Sequence, residues 1–279
     1  MKTILLPFRD DDWSESALRT AHAIARQHQC HIEGLFVVPE PQFVSGGIPI
    51  PDLYLMQMAE NGEQRAVAAR ERFDAYLQSS GLQRAKISDP GPGPSASWYE
   101  IKGIESQVIG ERGRLFDLIL VGREQEGGDW MSACEAALFD TGKPVLVAAE
   151  QVNDSFSDNV VVAWNSSAET ARAVALGLPL IANASQVTVL STPGASVPGP
   201  DGAEFAAHLR RNGIDATHDT IETTGGEETG AATLDYVRTK GANLLIKGAY
   251  THTRLRQIVF GGATRHILAN AEVPVLLAH

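Results

Sequence analysis

Short apolar runs alternate along this chain with longer amphipathic stretches, and the alternation is written twice. Near the start, Thr3-Ile4-Leu5-Leu6-Pro7-Phe8 gives way to the polar run Arg9-Asp10-Asp11-Asp12; near the middle, Asn159-Val160-Val161-Val162-Ala163-Trp164 gives way to Asn165-Ser166-Ser167. Each reads as a strand, a turn and a helix start. Ala17, Leu18, Ala21, Ile24 and Ala25 stand at helical spacing and predict a helix over Ser14–His28, with Ser14 as N-cap. Ala171, Val174, Ala175, Leu178 and Ile181 predict a second helix over Ala168–Ala182, with Ser167 as N-cap. Apolar runs follow both helices, at His31–Val38 and Gln186–Ser191.

The ends of the halves correspond as well. Asp117–Gly122 parallels Asn243–Gly248, and Lys143–Ala148 parallels Val273–Ala278. The first half is longer by a predicted helix, Leu55–Gln78, and a proline- and glycine-rich loop, Pro90–Pro94. An apolar, proline-rich insertion, Pro41–Leu55, precedes that helix. Each half therefore reads β-α-β-α-β-α-β-α-β, which predicts an α/β fold: two tandem doubly wound domains, each with a five-stranded parallel sheet. The polar segment Glu150–Asp158 is the linker, placing the domains at 1–150 and 151–279.

In such a sheet, ligands sit beyond the carboxyl ends of the strands, at the topological switch point. In the second half this selects Ala163, Trp164 and Asn165, then Leu190, then Gly248 and the loop after it. That loop carries Thr251, His252, Arg254, Gly261 and Gly262, and Ala263 and Thr264 begin the helix predicted over Ala263–Asn270. Glycines at a strand exit let backbone N–H groups approach an anion, and a helix N-terminus adds partial positive charge.

Charge sharpens that choice. The chain has a net charge of −11, which speaks against general nucleic-acid binding. Residues 1–150 hold 14 Lys and Arg against 22 Asp and Glu, a net of −8; residues 151–279 hold 9 against 12, a net of −3. Between Asp235 and Glu272 there is no carboxylate side chain, while Lys240, Lys247, Arg254, Arg256 and Arg265 fall in the window. In the first half the matching loop carries Glu124, Glu126 and Asp129, which would repel phosphate.

The spacing Gly248, then His252 to Phe260, then Gly261, together with the ending Val273-Pro274-Val275-Leu276, resembles the universal stress protein family, in two copies over nearly the whole chain. The resemblance implies a Rossmann-like fold of the adenine nucleotide alpha hydrolase type, two halves packed as an internal pseudo-dimer, and last strands (Pro144–Ala148 and Pro274–Ala278) meeting near the two-fold axis. It also implies a stress-response regulatory protein that binds ATP or another adenine nucleotide, with no metal beyond a nucleotide-associated Mg. Relatives that bind ATP use two glycines separated by two residues, a nine-residue spacer, then Gly and Ser or Thr, with an aspartate after the first strand. Here Thr251, Gly262 and Asn165 stand at three of those positions, and Thr264 lies close by. A nucleotide-independent protein-interaction or small-molecule-binding module of the same fold is the alternative reading.

Other features change the picture little. No run approaches the ~18 apolar residues of a membrane span, and no signal peptide is read at the start, so the expectation is a cytoplasmic protein without a membrane partner, free to pair further as a homodimer. His28-Gln29-Cys30-His31 lacks a second ligand cluster and predicts no metal site. Cys30 and Cys134 read as buried thiols. Trp164 either stacks on a base or is a buried strand residue. With no catalytic motif and no nucleophile paired with a base, the chain reads as a binding protein rather than an enzyme.

Overall fold

The computed structural model describes residues 1–40, 52–89, 91–123, 130–150, 156–223, 226–249 and 262–279. The chain divides into two compact units, Met1–Thr141 and Gly142–His279.

The first unit runs β1 (Thr3–Pro7), α1 (Asp12–His28), β2 (His31–Pro39), α2 (Asp52–Ser80), β3 (Gln83–Arg84), β4 (Ser95–Gly103), α3 (Glu105–Arg112), β5 (Leu118–Val121) and α4 (Trp130–Asp140). Its parallel strands lie in the order β3-β4-β2-β1-β5. Ile4, Leu5 and Leu6 are wholly buried, as expected of a strand covered on both faces. Helix α1 starts before the predicted residue: Asp11 caps it by accepting from the Ser14 backbone N–H, while the Ser14 hydroxyl accepts from the Arg9 N–H. Phe73 of α2 packs edge-on against Phe8, 5.5 Å between ring centres, and tilts onto Trp98 at 5.2 Å. A Cβ on Gly34 would stand 2.8 Å from that Phe73 ring, so the glycine permits the close crossing of α2 over β2. Glu33, 2% exposed in β2, pairs with Arg112 in a two-pronged ion pair, and the guanidinium lies 3.4 Å above the Tyr99 ring.

The second unit holds β6 (Val145–Val147), β7 (Asn159–Trp164), α5 (Ala168–Ile181), β8 (Gln186–Ser191), α6 (Gly202–Arg211), β9 (Ala216–Thr220), α7 (Gly226–Thr239), β10 (Leu244–Gly248), α8 (Gly262–Asn270) and β11 (Val275–Ala278). Strand order is β6-β11-β10-β7-β8-β9, all parallel except β6. From β7 onward the elements follow the predicted alternation without insertion. The unit boundary falls ahead of Glu150 because Val145–Val147 pairs antiparallel with Val275–Leu277, joining the two last strands as expected.

Strand register sorts the second unit's two faces. Ile246 pairs with Val162 and Val162 with Val189, and this row faces α5 and α6; Gly177 of α5 lies so close that a Cβ there would meet Leu276 at 2.5 Å. Lys247 pairs with Ala163 and Leu277, and Ala163 with Leu190, so this row faces α7 and α8. No helix among the described residues is long and apolar enough to cross a membrane.

Candidate functional site

At the carboxyl ends of β7 and β10 the second unit gathers Ala163, Lys247, Thr264 and the first turn of α8. Lys247 carries the one charged side chain of β10, whose other positions are Leu244, Leu245, Ile246 and Gly248. Its Nζ donates to Thr264 Oγ1 at 2.6 Å and to the Gly248 carbonyl at 2.9 Å. Both partners are neutral, and among the described residues Lys247 forms no ion pair. Burial pulls its ammonium down to about 8. The charge thus sits against the turn of α8 whose amide N–H groups have no acceptor within the helix. Gly262 is exposed there, Ala263 half-buried and Thr264 buried.

The start of α7 converges on the same point. A Cβ on Gly262 would lie 3.5 Å from the Glu227 N and 3.6 Å from the Gly226 carbonyl carbon. Two helix N-termini therefore approach each other beside Lys247, an arrangement that favours an anion. The same neighbourhood holds a carboxyl-bearing chain: Glu227 Cγ is 3.6 Å from that Cβ position. The window without carboxylates is a property of the sequence; in space α7 brings one back.

The remaining predicted positions are placed differently. Asn165 Oδ1 accepts from the Thr170 hydroxyl at 2.7 Å and from the Ser167 N–H at 3.3 Å, closing a tight turn in which Ser166 takes φ 65°. Ser167 then caps α5 by accepting from Thr170 N. The Gly248 N–H donates to Thr170 Oγ1 at 3.2 Å, and Ala249 N–H to the Ala278 carbonyl at 2.9 Å. Trp164 lies on the opposite face, 3% exposed, its ring stacked on Phe205 at 3.8 Å and its Nε1 donating to the Pro200 carbonyl at 3.0 Å. Of the two readings of Trp164, the structure selects the buried strand residue. Leu190 is buried on the α7 and α8 face, two strands from Lys247. Thr251, His252, Arg254 and Gly261 lie outside the described residues.

Lys247 stands outside the motif that the sequence spacing selects. A lysine in phase with Leu245 inside an otherwise apolar strand is the sequence signal for it. A second such feature is a serine–histidine pair, Ser191 Oγ to His218 Nε2 at 3.1 Å. It lies under Gly202 at the start of α6, where a Cβ would stand 2.2 Å from that hydroxyl oxygen. The helix seats directly on the pair, which ties β8 to β9.

In the first unit the corresponding strand ends are filled by the unit's own side chains. Arg9, after β1, is paired with Glu105 at 2.6 Å. Gly122, after β5, packs so tightly that a Cβ would lie 2.9 Å from the Trp13 carbonyl oxygen. The Arg123 guanidinium lies 5.9 Å from the Trp13 ring centre. Trp13, Trp130, Arg9 and Glu105 leave about 20 Å³ between them, room for about one water molecule. His28, Cys30 and His31 stand near β1 and β2 without forming a ligand cluster: the His31 ring lies between Ser95 Oγ and Ser97 Oγ, each at 2.9 Å, and Cys30 Sγ points to the Met1 carbonyl. Burial raises both thiols, Cys30 to about 11 and Cys134 to about 12.

Comparison with known proteins bears on this geometry. Residues 157–279 match the model of the universal stress protein family. Among curated proteins none matches the sequence. Two solved structures share the fold over the length of the chain. A universal stress protein from Archaeoglobus fulgidus DSM 4304 is 16% identical, with a TM-score of 0.67 over 99% of this chain and 95% of its own. A putative universal stress protein from Pseudomonas aeruginosa UCBPP-PA14 is 15% identical, with a TM-score of 0.57 over 100% of this chain and 93% of its own. The similarity to the universal stress protein family is thus carried, in sequence, by residues 157–279.

Proposed function

We propose that the second unit binds an adenine nucleotide by its phosphates, at Lys247 and the first turn of α8, and that occupancy tunes a stress-related interaction. One observation carries this reading: an ammonium without a described counter-ion is hydrogen-bonded into a helix N-terminus on which a second helix start converges. Phosphate oxygens would supply the missing negative charge and accept from the Gly262 and Ala263 amides. Ala163 is half-buried and is the register partner of Lys247 in the sheet. A Mg ion would arrive with the nucleotide rather than be held by carboxylates of the chain. The role is regulatory binding rather than catalysis, and the net charge of −11 disfavours a nucleic-acid partner.

Specific contacts favour a second reading, a nucleotide-independent interaction module. The Asn165 carboxamide oxygen, the Gly248 amide and the Trp164 ring are all engaged within the unit. Thermal unfolding with increasing ATP, ADP, AMP and inorganic phosphate separates the two. A ligand bound only to the folded state adds about 2.7 kcal/mol at a hundredfold excess over its Kd. The intact chain is expected to melt higher in a dose-dependent way, and Lys247→Met to lose most of the rise. Superimposable melts with and without ligand would establish the interaction module instead.

A further inference from the structure

We infer that Lys247 is a reactive amine, the lysine of this chain that small acyl phosphates acylate. The inference rests on the phosphate-binding reading, because the same first turn of α8 would hold the phosphate end of such a donor beside Nζ. The geometry differs from that of Lys86, Lys102 and Lys240. Lys102 is paired with Glu63 at 3.1 Å, Lys240 lies 3.6 Å from Asp219 and 5.2 Å from the Tyr236 ring, and Lys86 is exposed to water. Each of those amines stands beside a carboxylate or in water. Lys247 instead lies between Ala163 and Leu277 in the sheet, its Nζ held by a hydroxyl and a carbonyl, with positive helix ends beside it.

Such surroundings raise the share of neutral amine, the nucleophilic form. With its pKa lowered to about 8, Lys247 is neutral roughly a tenth of the time at pH 7, against roughly one part in a thousand or less for an ordinary lysine. The two hydrogen bonds also fix Nζ in place, as a nucleophile must be. In the step itself, the Nζ lone pair attacks the acyl carbonyl carbon and a carbon–nitrogen bond forms. The bond from that carbon to the phosphate oxygen breaks, phosphate leaves with the electron pair, and the amine proton passes to water or to the departing phosphate. The product is a neutral amide, so acylation would erase the positive charge of the site and weaken phosphate binding there.

The test treats the full chain with acetyl phosphate near neutral pH, digests it with a protease that does not cut at lysine, and follows each lysine by mass spectrometry. Lys247 is expected to be acetylated at least about tenfold faster than Lys86, with that signal missing in Lys247→Arg. Acetylation of Lys247 no faster than of Lys86 would overturn the inference. Repeating the reaction with excess ATP distinguishes this outcome from failure of the nucleotide reading. Fast labelling that ATP does not slow would uphold the reactive lysine and contradict nucleotide binding. A dose-dependent melting rise with ATP, together with a slow Lys247, would do the reverse.

Discussion

A lysine in an apolar strand must find compensation for its charge, and Lys247 finds only neutral oxygens among the described residues. The first unit poses the opposite problem with its histidines. His22, His28 and His31 are all held below the ordinary histidine range, foremost by burial; Arg26 adds to the effect at His22, and the terminal amine and Lys2 at His28. The neutral His31 ring can serve both flanking hydroxyls, whereas a doubly protonated ring must give up an acceptor role. Because these folded-state values lie below the unfolded value of about 6.5, the unfolded chain binds more protons as acid is added. Their stabilising contribution is complete above about pH 6.5 and is lost as pH falls through the lowered values. Urea midpoints of the first unit should therefore drop between pH 7 and pH 5, and His31→Gln should flatten the decline. A midpoint independent of pH over that range would contradict this assignment.

At the scale of elements, the β7 exit, the start of α5 and the end of β10 are joined through Thr170, which serves Asn165 on one side and Gly248 on the other. A Cβ at Gly248 would lie 2.6 Å from the Thr170 backbone nitrogen and 2.7 Å from its hydroxyl. Backbone cannot yield as a side-chain tip can, so Gly248→Ala should cost about 1–3 kcal/mol, read from urea unfolding of the second unit. Wild-type stability would mean that α5 slides freely on β10. Gly248 was legible as a special position because it closes an apolar run, but its physical role was not. Sequence pattern suggested an amide offered to a ligand; the structure spends that amide on a helix. The Asn165 turn was hidden for the same reason, since a polar side chain at a strand exit can equally bond its own backbone. Helix existence was readable from 3.6-residue spacing. The start of α1 was not, because Asp11 and Ser14 are both good capping residues and only the fold decides between them.

At the scale of the molecule, the duplication was readable because each half repeats a strand, turn and helix start in the same order. The boundary at Thr141 and Gly142 was not, since it depends on a three-residue strand choosing β11 as partner. At the first unit's strand-end cleft, the sequence signal against phosphate was the acidic loop of Glu124, Glu126 and Asp129. In the structure, the described residues fill that cleft with Trp13, Trp130 and the Arg9–Glu105 pair. The carboxylate-free stretch around Lys247 was readable in the sequence, while the approach of Glu227 depends on how α7 meets α8. A crystal structure of the chain grown with ATP tests the central claim most directly. The predicted result is phosphate density within about 3 Å of Lys247 Nζ and the first amides of α8, with none at the first unit's strand ends. Clear density for those side chains at saturating ATP, with no ligand beside Lys247, would contradict it.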